Sequence, residues 1–299
     1  MDTGRTSAKK GSALFHHLGL LVTVTIWAST FINIKIVLLQ VPPNTLAFLR
    51  FLIASTVLGL YFWLTRQPRI KRADWLWTVV SGLTGVALYN FIQNHGLRYA
   101  GATDAAILAA MAPVFIALLA WLMLKENIAS RQVLGIVVAF AGSVLVATNG
   151  SLSGLSLNPG RLVGDSLILL TGLVWGLYNV SLKKLLDRYP APAVLTYTTV
   201  IGTIFLAPLA WWESPHLAAV DSWGWLNVFY LGLLASALAY LLWNRALTGV
   251  SAVTAGAYLY LMPVIAAAIA AVFLQEVPTV YTVAGGVMAL VGTYFASAG

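Results

Sequence analysis

The stretch NHGLRYAGATDAAILAAMAP, residues 94–113, carries the pattern that decides the fold. A related stretch, NRALTGVSAVTAGAYLYLMP, occupies residues 244–263, at an offset of 150 residues. Both begin with asparagine, run through small residues and end in proline. The chain therefore contains an internal repeat, and we predict two halves, 1–149 and 150–299. The same offset aligns further pairs of distinctive residues: Trp75 with Trp225, Gly82 with Gly232, Glu126 with Glu276, Gly135 with Gly285, and Gly142 with Gly292.

The composition is that of an integral membrane protein. Of the 299 residues, 60% are hydrophobic and 9% are charged, whereas an ordinary soluble domain is about 25% charged. The net charge of +8 is carried by short loops between apolar runs, so it indicates membrane orientation and not a nucleic-acid partner. The chain has no cysteine, which excludes disulfides and thiolate chemistry.

Apolar runs of about 20 residues, each long enough to cross a bilayer, are separated by breaker residues. No ten-residue alternation of the kind found in membrane β-barrels is present. The first run follows a polar stretch, MDTGRTSAKKGS, and is longer than the apolar core of a cleavable signal, so we expect it to be retained. The predicted spans are 17–38, 44–65, 74–94, 101–124, 131–148, 162–186, 191–212, 223–244, 251–274 and 278–297.

The basic residues predict how the spans are oriented. With the first residue inside, only Lys35, Arg50, Arg98 and Arg161 fall on the outer side, and all other Lys and Arg residues, of 17 in the chain, fall on the inner side. Cytoplasmic loops carry such an excess of Lys and Arg. We therefore predict that both termini are cytoplasmic.

Each predicted half holds five spans, an odd number, so the second half enters the membrane from the opposite side. Inverted repeats of this kind are typical of secondary transporters, whose substrate site lies near the bilayer midplane between the halves. The predicted fold is an all-α polytopic membrane protein, with ten transmembrane helices forming two inverted five-helix repeats around a central cavity. Alternating access follows if the two halves exchange conformations.

Polar and aromatic side chains within the spans are candidates to line this cavity, because such groups are costly against lipid. Trp27 and its repeat mate Trp175 lie in mid-span, whereas most other tryptophans, including Trp243, lie near span ends and are expected in the interfacial belt. Helix–helix contact is the alternative role for the mid-span residues. The predicted substrate-binding residues are Trp27, Phe31, Tyr89, Asn90, Gln93, Asn94, His95, Met111, Trp175, Tyr178, Asn179, Tyr240, Asn244 and Tyr258.

This lining is aromatic, rich in amides and nearly uncharged. It suits a flat apolar or amphipathic solute better than a sugar phosphate, which would require clustered Arg or Lys. Pro113 and Pro263 lie halfway along their spans and predict helix kinks that face the cavity; a static packing kink is the alternative. Asp104 is the candidate for ion coupling, although its repeat mate is Thr254.

No metal site, cofactor or enzyme activity is predicted. The four histidines show no metal-ligand spacing, and no two acidic residues share a span. The sequence therefore offers no catalytic site for the alternative class, a lipid-modifying membrane enzyme. A channel would need rings of charge or of carbonyls. Without a chain of buried carboxylates, facilitated diffusion or exchange is favoured over proton-driven pumping. Gly135, Gly142, Gly285 and Gly292 predict either a paired rim that joins the halves or a dimer surface.

Three segments resemble the paired EamA domains of the drug/metabolite transporter superfamily: LAFLRFLIAS (46–55), APVFIALLAWLMLKENIASRQVLGIVVAFAGSVLVA (112–147) and MPVIAAAIAAVFLQEVPTVYTVAGGVMALVGTY (262–294). The resemblance implies the inverted ten-helix fold and export or exchange of small metabolites across a bacterial inner membrane. Arg50 matches the family's arginine in the second span.

Within that superfamily the chain is most similar to aromatic amino acid exporters. The resemblance implies an amino-acid substrate, in particular Phe, Tyr or Trp, carried by a monomer or weak dimer. The alternative is a multidrug exporter of lipophilic cations with the same fold, and Asp104 would then be the carboxylate beside the aromatic lining.

Overall fold

The computed structural model describes residues 3–99, 108–148, 150–151, 159–213, 217–273 and 279–297, and every regular element in these ranges is helical. The helices are α1 (Thr3–Leu38), α2 (Pro43–Leu64), α3 (Trp75–Gly82), α4 (Tyr89–Tyr99), α5 (Ala112–Leu119), α6 (Ser130–Thr148), α7 (Pro159–Leu186), α8 (Ala191–Trp212), α9 (Ser222–Tyr230), α10 (Ala239–Leu247), α11 (Ala252–Ala257), α12 (Leu261–Phe273) and α13 (Val280–Ser297). Among the described residues, three segments are π-helical: Leu83–Leu88 between α3 and α4, Ala120–Leu124 after α5, and Leu231–Leu238 between α9 and α10. Three 3₁₀ turns are also described: Arg72–Asp74 before α3, Leu217–Ala219 before α9, and Tyr258–Tyr260 between α11 and α12.

The helices are those of a multi-pass membrane protein. Among the described residues, eight helical runs are long and apolar enough to cross a bilayer, and two shorter apolar helices, Leu14–Thr30 and Ala112–Leu124, correspond to the first and fourth predicted spans. The beginning of the fourth predicted span, residues 101–107, lies outside the described part of the chain. The total of ten spans therefore stays a prediction.

Helix ends follow local chemistry. Proline occupies the first turn of α2 and of α8, where its missing N–H costs nothing. The Asp221 side chain accepts a hydrogen bond from the Gly224 N–H, and Ser251 Oγ accepts one from the Thr254 N–H, so both residues act as N-caps. Two helices are longer than the predicted spans: α4 continues to Tyr99, beyond the predicted end at residue 94, and α1 begins at Thr3, before the predicted start at residue 17.

The two π-helical segments of the third and eighth predicted spans occupy repeat-related positions. Leu83–Leu88 and Leu231–Leu238 overlap when the chain is shifted by 150 residues. A π-helical turn widens the backbone and frees carbonyl groups from the ordinary helical ladder, and such turns are frequent at functional sites. Both halves thus carry the same backbone irregularity.

Pro113 and Pro263 each follow a break in their helix. Ala110 and Met111 form a turn before α5 begins at Ala112, and the 3₁₀ turn Tyr258–Tyr260 precedes α12. Proline fits the first turn of a helix because its nitrogen has no hydrogen to donate. Near the two prolines, these spans are therefore interrupted rather than smoothly bent.

Repeat-related helices α4 and α10 finish at opposite ends of the bundle. Gly19, early in α1, lies against the Leu242 carbonyl of α10, whereas the Asn94 amide of α4 donates to the carbonyl of Pro43, just beyond the end of α1. Residues 19 and 38 of α1 are about 28 Å apart at a rise of 1.5 Å per residue. We call the two regions the Asn244 end and the Asn94 end.

Helices α6 and α13 join the halves through their glycines. A Cβ atom on Gly142 would lie 2.5 Å from the Gly285 carbonyl oxygen, and one on Gly292 would lie 2.6 Å from the Gly135 carbonyl oxygen. All four glycines are buried. Only glycine allows this backbone approach, so this glycine ridge is an intramolecular rim, the first of the two roles that the sequence predicts.

Candidate substrate site

Six aromatic side chains from α1, α4, α7 and α10 meet where the two halves face each other. The ring centroids of Trp27 and Trp175 are 5.5 Å apart, and Trp175 also lies 5.2 Å from Tyr89 and 4.9 Å from Tyr178. These separations and tilted geometries are favourable for aromatic pairs. We call this group the aromatic cluster: Trp27, Tyr89, Trp175, Tyr178, Tyr240 and Trp243.

The π-helical segments accept hydrogen bonds from the aromatic cluster. Trp27 Nε1 donates to the Ala235 carbonyl at 3.1 Å, and the Tyr240 hydroxyl donates to the Gly85 carbonyl at 3.2 Å. In each case the donor belongs to one half and the acceptor to the other. Gly85 and Ala235 are themselves repeat mates at the 150-residue offset. The π-helical turns therefore have a common role, which is to present a carbonyl to an aromatic side chain of the opposite half.

Buried amides complete the cluster at the Asn244 end. Trp243 Nε1 donates to Asn179 Oδ1 at 2.9 Å, and the Tyr178 hydroxyl donates to Asn244 Oδ1 at 3.2 Å. Both asparagines have no exposed surface. A buried polar atom is costly unless it is hydrogen-bonded, so these bonds hold the rings in place. The Nδ2 atom of Asn244 has no partner among the described residues.

Gly85 provides the space in which the Tyr178 ring lies. A Cβ atom on Gly85 would lie 2.5 Å from Cε2 of that ring, closer than any side-chain contact allows. The same residue offers its carbonyl to Tyr240. Gly85 therefore packs against one ring of the cluster and hydrogen-bonds to another.

Arg50 of α2 places a positive charge close to the cluster, and it is not among the predicted substrate-binding residues. Its side chain is partly buried, and Nε–H donates to Ser236 Oγ at 3.3 Å, in the π-helical segment Leu231–Leu238. Its guanidinium carbon lies 5.7 Å from the centroid of the Phe51 ring, which in turn lies 5.7 Å from the Tyr240 ring of the cluster. Composition and spacing did not reveal this contact, because Arg50 lies on a different span from its neighbours.

Trp243 was expected in the interfacial belt and is instead fully buried, with 0% of its surface exposed. The belt assignment suits Trp63, Trp211 and Trp212, which are 74–88% exposed. The signal for Trp243 was present in the sequence, because Tyr240, Trp243 and Asn244 have the i, i+3, i+4 spacing that puts side chains on one helix face. Nearness to a span end was the weaker criterion.

Several predicted site residues lie on α4 near the cluster without joining it. Asn90 donates to the Val86 carbonyl, and Gln93 donates to the Tyr89 hydroxyl at 2.9 Å. Asn94 is partly buried and bonds to the Pro43 carbonyl. His95 Nδ1 is 2.9 Å from the Phe91 carbonyl oxygen, and its ring stacks on Phe91.

The remaining predicted residues fall elsewhere. The Tyr258 hydroxyl lies 2.8 Å from His17 Nδ1 at the Asn244 end, away from the cluster, and Met111 is a partly buried residue of the turn before α5. The Phe31 side chain and all of Asp104 lie outside the described residues. No group of His, Asp and Glu side chains in the described part of the chain could hold a metal ion.

The Asn244 end is tied together by contacts between the halves and within the second half. Lys183 Nζ donates to the carbonyls of Leu247 and Val250 at 2.7 and 2.6 Å, and Glu126 Oε1 accepts from the Ala252 N–H. The two Lys183 bonds satisfy carbonyls at and just beyond the end of α10, and the Glu126 bond satisfies the N–H of the first residue of α11. At this end, therefore, α7 is joined to the end of α10, and Glu126 of the first half is joined to α11 of the second.

Comparison with known proteins identifies the class to which this multi-pass, two-repeat membrane protein belongs. Residues 14–148 and 162–298 each match the EamA-like transporter family. The chain belongs to this family, whose members are transporters and not enzymes. This match confirms the resemblance of the sequence to the EamA domains of the drug/metabolite transporter superfamily.

Relatives cover nearly the whole chain. An "uncharacterized transporter" of Archaeoglobus fulgidus is 35% identical over 94% of this chain and 97% of its own. A "probable terminal-alkyne amino-acid exporter" of Streptantibioticus cattleyicolor is 32% identical over 91% and 90%, and a "probable amino-acid metabolite efflux pump" of Salmonella typhimurium is 27% identical over 92% of each chain. A crystal structure of a protein with 21% identity shares the fold, with a TM-score of 0.79 over 96% of both chains.

Proposed function

We propose that this transporter exports or exchanges amino acids, in particular Phe, Tyr and Trp. The observation that carries the proposal is the aromatic cluster between the halves, whose six rings provide flat apolar contact with hydrogen-bonding edges. Aromatic rings pair with one another favourably, by about 0.5–1.5 kcal/mol beyond the burial of their area. The names of two relatives, which describe exporters of amino acids or their metabolites, support the same substrate class.

Arg50 favours amino acids over the alternative, a lipophilic cation. A cation bound against the cluster would lie close to the Arg50 guanidinium, and like charges repel strongly where water is excluded. An amino acid carries a carboxylate that the guanidinium attracts. The aromatic lining alone would suit either substrate. The charge of Arg50 is therefore the feature that favours amino-acid transport over transport of lipophilic cations.

Transport by alternating access is part of the proposal. The described rings touch one another, so a substrate must separate them, and at the Asn244 end Glu126 of the first half bonds to the Ala252 N–H of the second. The orientation of α4 and α10 toward opposite ends supports an inverted repeat, in which the halves exchange conformations to open each end in turn. By the positive-inside rule, both termini lie on the cytoplasmic side of the membrane. The family resemblance implies that this is a bacterial inner membrane.

Counterflow into liposomes holding the purified protein tests the proposal. Labelled Phe, Tyr and Trp should accumulate when the vesicles are loaded with unlabelled substrate, and the uptake should saturate and prefer one enantiomer. Methyl viologen, a lipophilic cation, should not exchange. Exchange of methyl viologen without amino-acid exchange would contradict the proposal and would make Asp104 the residue to test. Empty vesicles and vesicles holding the Trp175→Ala variant are the controls.

A further inference from the structure

Arg50 has no anionic partner in the described part of the protein. The described carboxylates near the ends of the bundle are engaged elsewhere: Asp74 pairs with Arg188 at 2.5 Å, and Glu213 accepts hydrogen bonds from the backbone of Asn44 and Thr45. The Arg50 guanidinium makes one hydrogen bond there, from Nε to the neutral Ser236. An arginine within a membrane span is costly unless its charge is paired.

The geometry also leaves the charged fork of Arg50 available. Because Nε is bound to Ser236, the side chain is held in one orientation, and its two terminal nitrogens bond to none of the described groups. A guanidinium edge of this kind matches the two oxygens of a carboxylate and binds them through parallel hydrogen bonds. The Arg50 guanidinium carbon lies 5.7 Å from the centroid of the Phe51 ring, and the Phe51 ring lies 5.7 Å from the ring of Tyr240, a member of the aromatic cluster.

We propose that Arg50 binds the carboxylate of the transported solute while the aromatic cluster binds its side chain. The inference rests on the proposed amino-acid function and narrows it: the recognised unit is a carboxylate joined through a short spacer to an aromatic or large apolar group. Ser236 is a positioning residue, which holds the guanidinium edge toward the cluster. This contact does not involve the amino group of the substrate.

Competition against labelled Phe in wild-type proteoliposomes tests the inference without any variant. Phenylpropionate keeps the carboxylate and lacks the amine, phenethylamine keeps the amine and lacks the carboxylate, and phenylalaninamide has an uncharged amide in place of the carboxylate. Phenylpropionate should compete, and the other two should compete at least about 30-fold less well, the factor that corresponds to losing one partner of a buried charge pair. Competition by phenethylamine equal to that of phenylpropionate would overturn the inference.

Variants give the second arm. Arg50→Gln should raise the KM for Phe at least about 30-fold, and Arg50→Lys should recover part of the loss because it keeps the charge without the fork. Ser236→Ala should raise the KM by a smaller factor. Arg131→Gln is the matched control: it removes an arginine whose guanidinium lies over the rings of Tyr294 and Phe295, and it should leave KM unchanged. An unchanged KM in Arg50→Gln would contradict the proposal.

Failure of the inference and failure of the proposed function are distinguishable. If the wild-type protein transports no amino acid, the function is wrong, and the Arg50 site is then tested by ligand-induced thermal stabilisation in detergent. Stabilisation of the wild type, but not of folded Arg50→Gln, by phenylpropionate supports the site. Equal stabilisation of both proteins overturns it. If Phe is transported but phenylpropionate, phenethylamine and phenylalaninamide compete equally well, amino-acid transport is supported and carboxylate binding by Arg50 is rejected.

Discussion

Helices α4 and α10 derive from the same repeated pattern and differ in their surroundings. Asn94 and Asn244 are repeat mates, yet Asn94 is partly buried and bonds to the Pro43 carbonyl, whereas Asn244 is fully buried and accepts from Tyr178. Likewise Gln93 is partly buried and its mate Trp243 is completely buried. A repeated sequence does not impose a repeated environment. A transporter that exposes its two ends alternately requires this inequality in any single state.

Removal of the Trp175 indole, which contacts rings of both α4 and α10, should have the largest effect on transport. Trp175 contacts rings from both α4 and α10, so Trp175→Ala should lower the apparent affinity for Phe by about tenfold to 100-fold, since each aromatic contact contributes about 0.5–1.5 kcal/mol. The cavity should also lower stability by about 3–5 kcal/mol. Counterflow and thermal unfolding measure the two effects. Trp175→Phe should retain most transport, and equal losses in both variants would argue against a role for the indole.

The difference between the two asparagines can be measured directly, because the chain has no cysteine. A thiol reagent should label Asn94→Cys about tenfold faster than Asn244→Cys, since a local opening cost of about 1.4 kcal/mol slows labelling by that factor. Both variants should label equally fast in denaturant, which is the control for intrinsic reactivity. Faster labelling at position 244 would mean that the protein in solution is closed at the other end.

Releasing the Asn244 end should produce a smaller change. Lys183→Met removes two hydrogen bonds to the carbonyls of Leu247 and Val250, so an Ala246→Cys reporter on α10 should label about fivefold faster, corresponding to about 1 kcal/mol. Lys184→Met is the matched control, because Lys184 lies over the Trp77 ring and makes no such carbonyl bond. If both lysine variants speed labelling equally, loss of charge and not loss of these bonds is responsible.

The two regions should also differ in how much a single hydrogen bond contributes to the free energy of unfolding. Tyr178→Phe leaves the buried Asn244 amide without its described partner and should cost about 1–3 kcal/mol, whereas Gln93→Leu removes a partly buried bond to Tyr89 and should cost about 1 kcal/mol or less. Thermal unfolding in detergent measures both. A larger loss for Gln93→Leu would contradict the difference in burial between the two regions.

The sequence was sufficient to predict the membrane class, most span positions and the internal repeat, because these depend on runs of apolar residues and on residue spacing along one chain. It also identified Trp27, Trp175 and Tyr178 as inward-facing. It did not predict the π-helical segments or the hydrogen bonds to Gly85 and Ala235. Those depend on a few degrees of backbone rotation and on which half faces which.

Arg50 and Trp243 are instructive for a different reason. Trp243 was placed by its depth in its own span, and depth alone predicts an interfacial position. Arg50 was noted only for its side of the membrane and for its match to the family's arginine. Their surroundings are set by other spans: Arg50 by Ser236, and Trp243 by Asn179 and Trp27. A charge or an indole near a span end needs a known neighbour before its role can be assigned.

The glycine ridge has the symmetry of a contact between two copies of one surface. Gly135 contacts Gly292 and Gly142 contacts Gly285, so each glycine meets the repeat mate of the other one on its own helix. This is the pattern of an isologous interface, in which one patch binds a second copy of itself. The contact that joins two halves of one polypeptide therefore has the symmetry of a contact that could join two separate copies of one half.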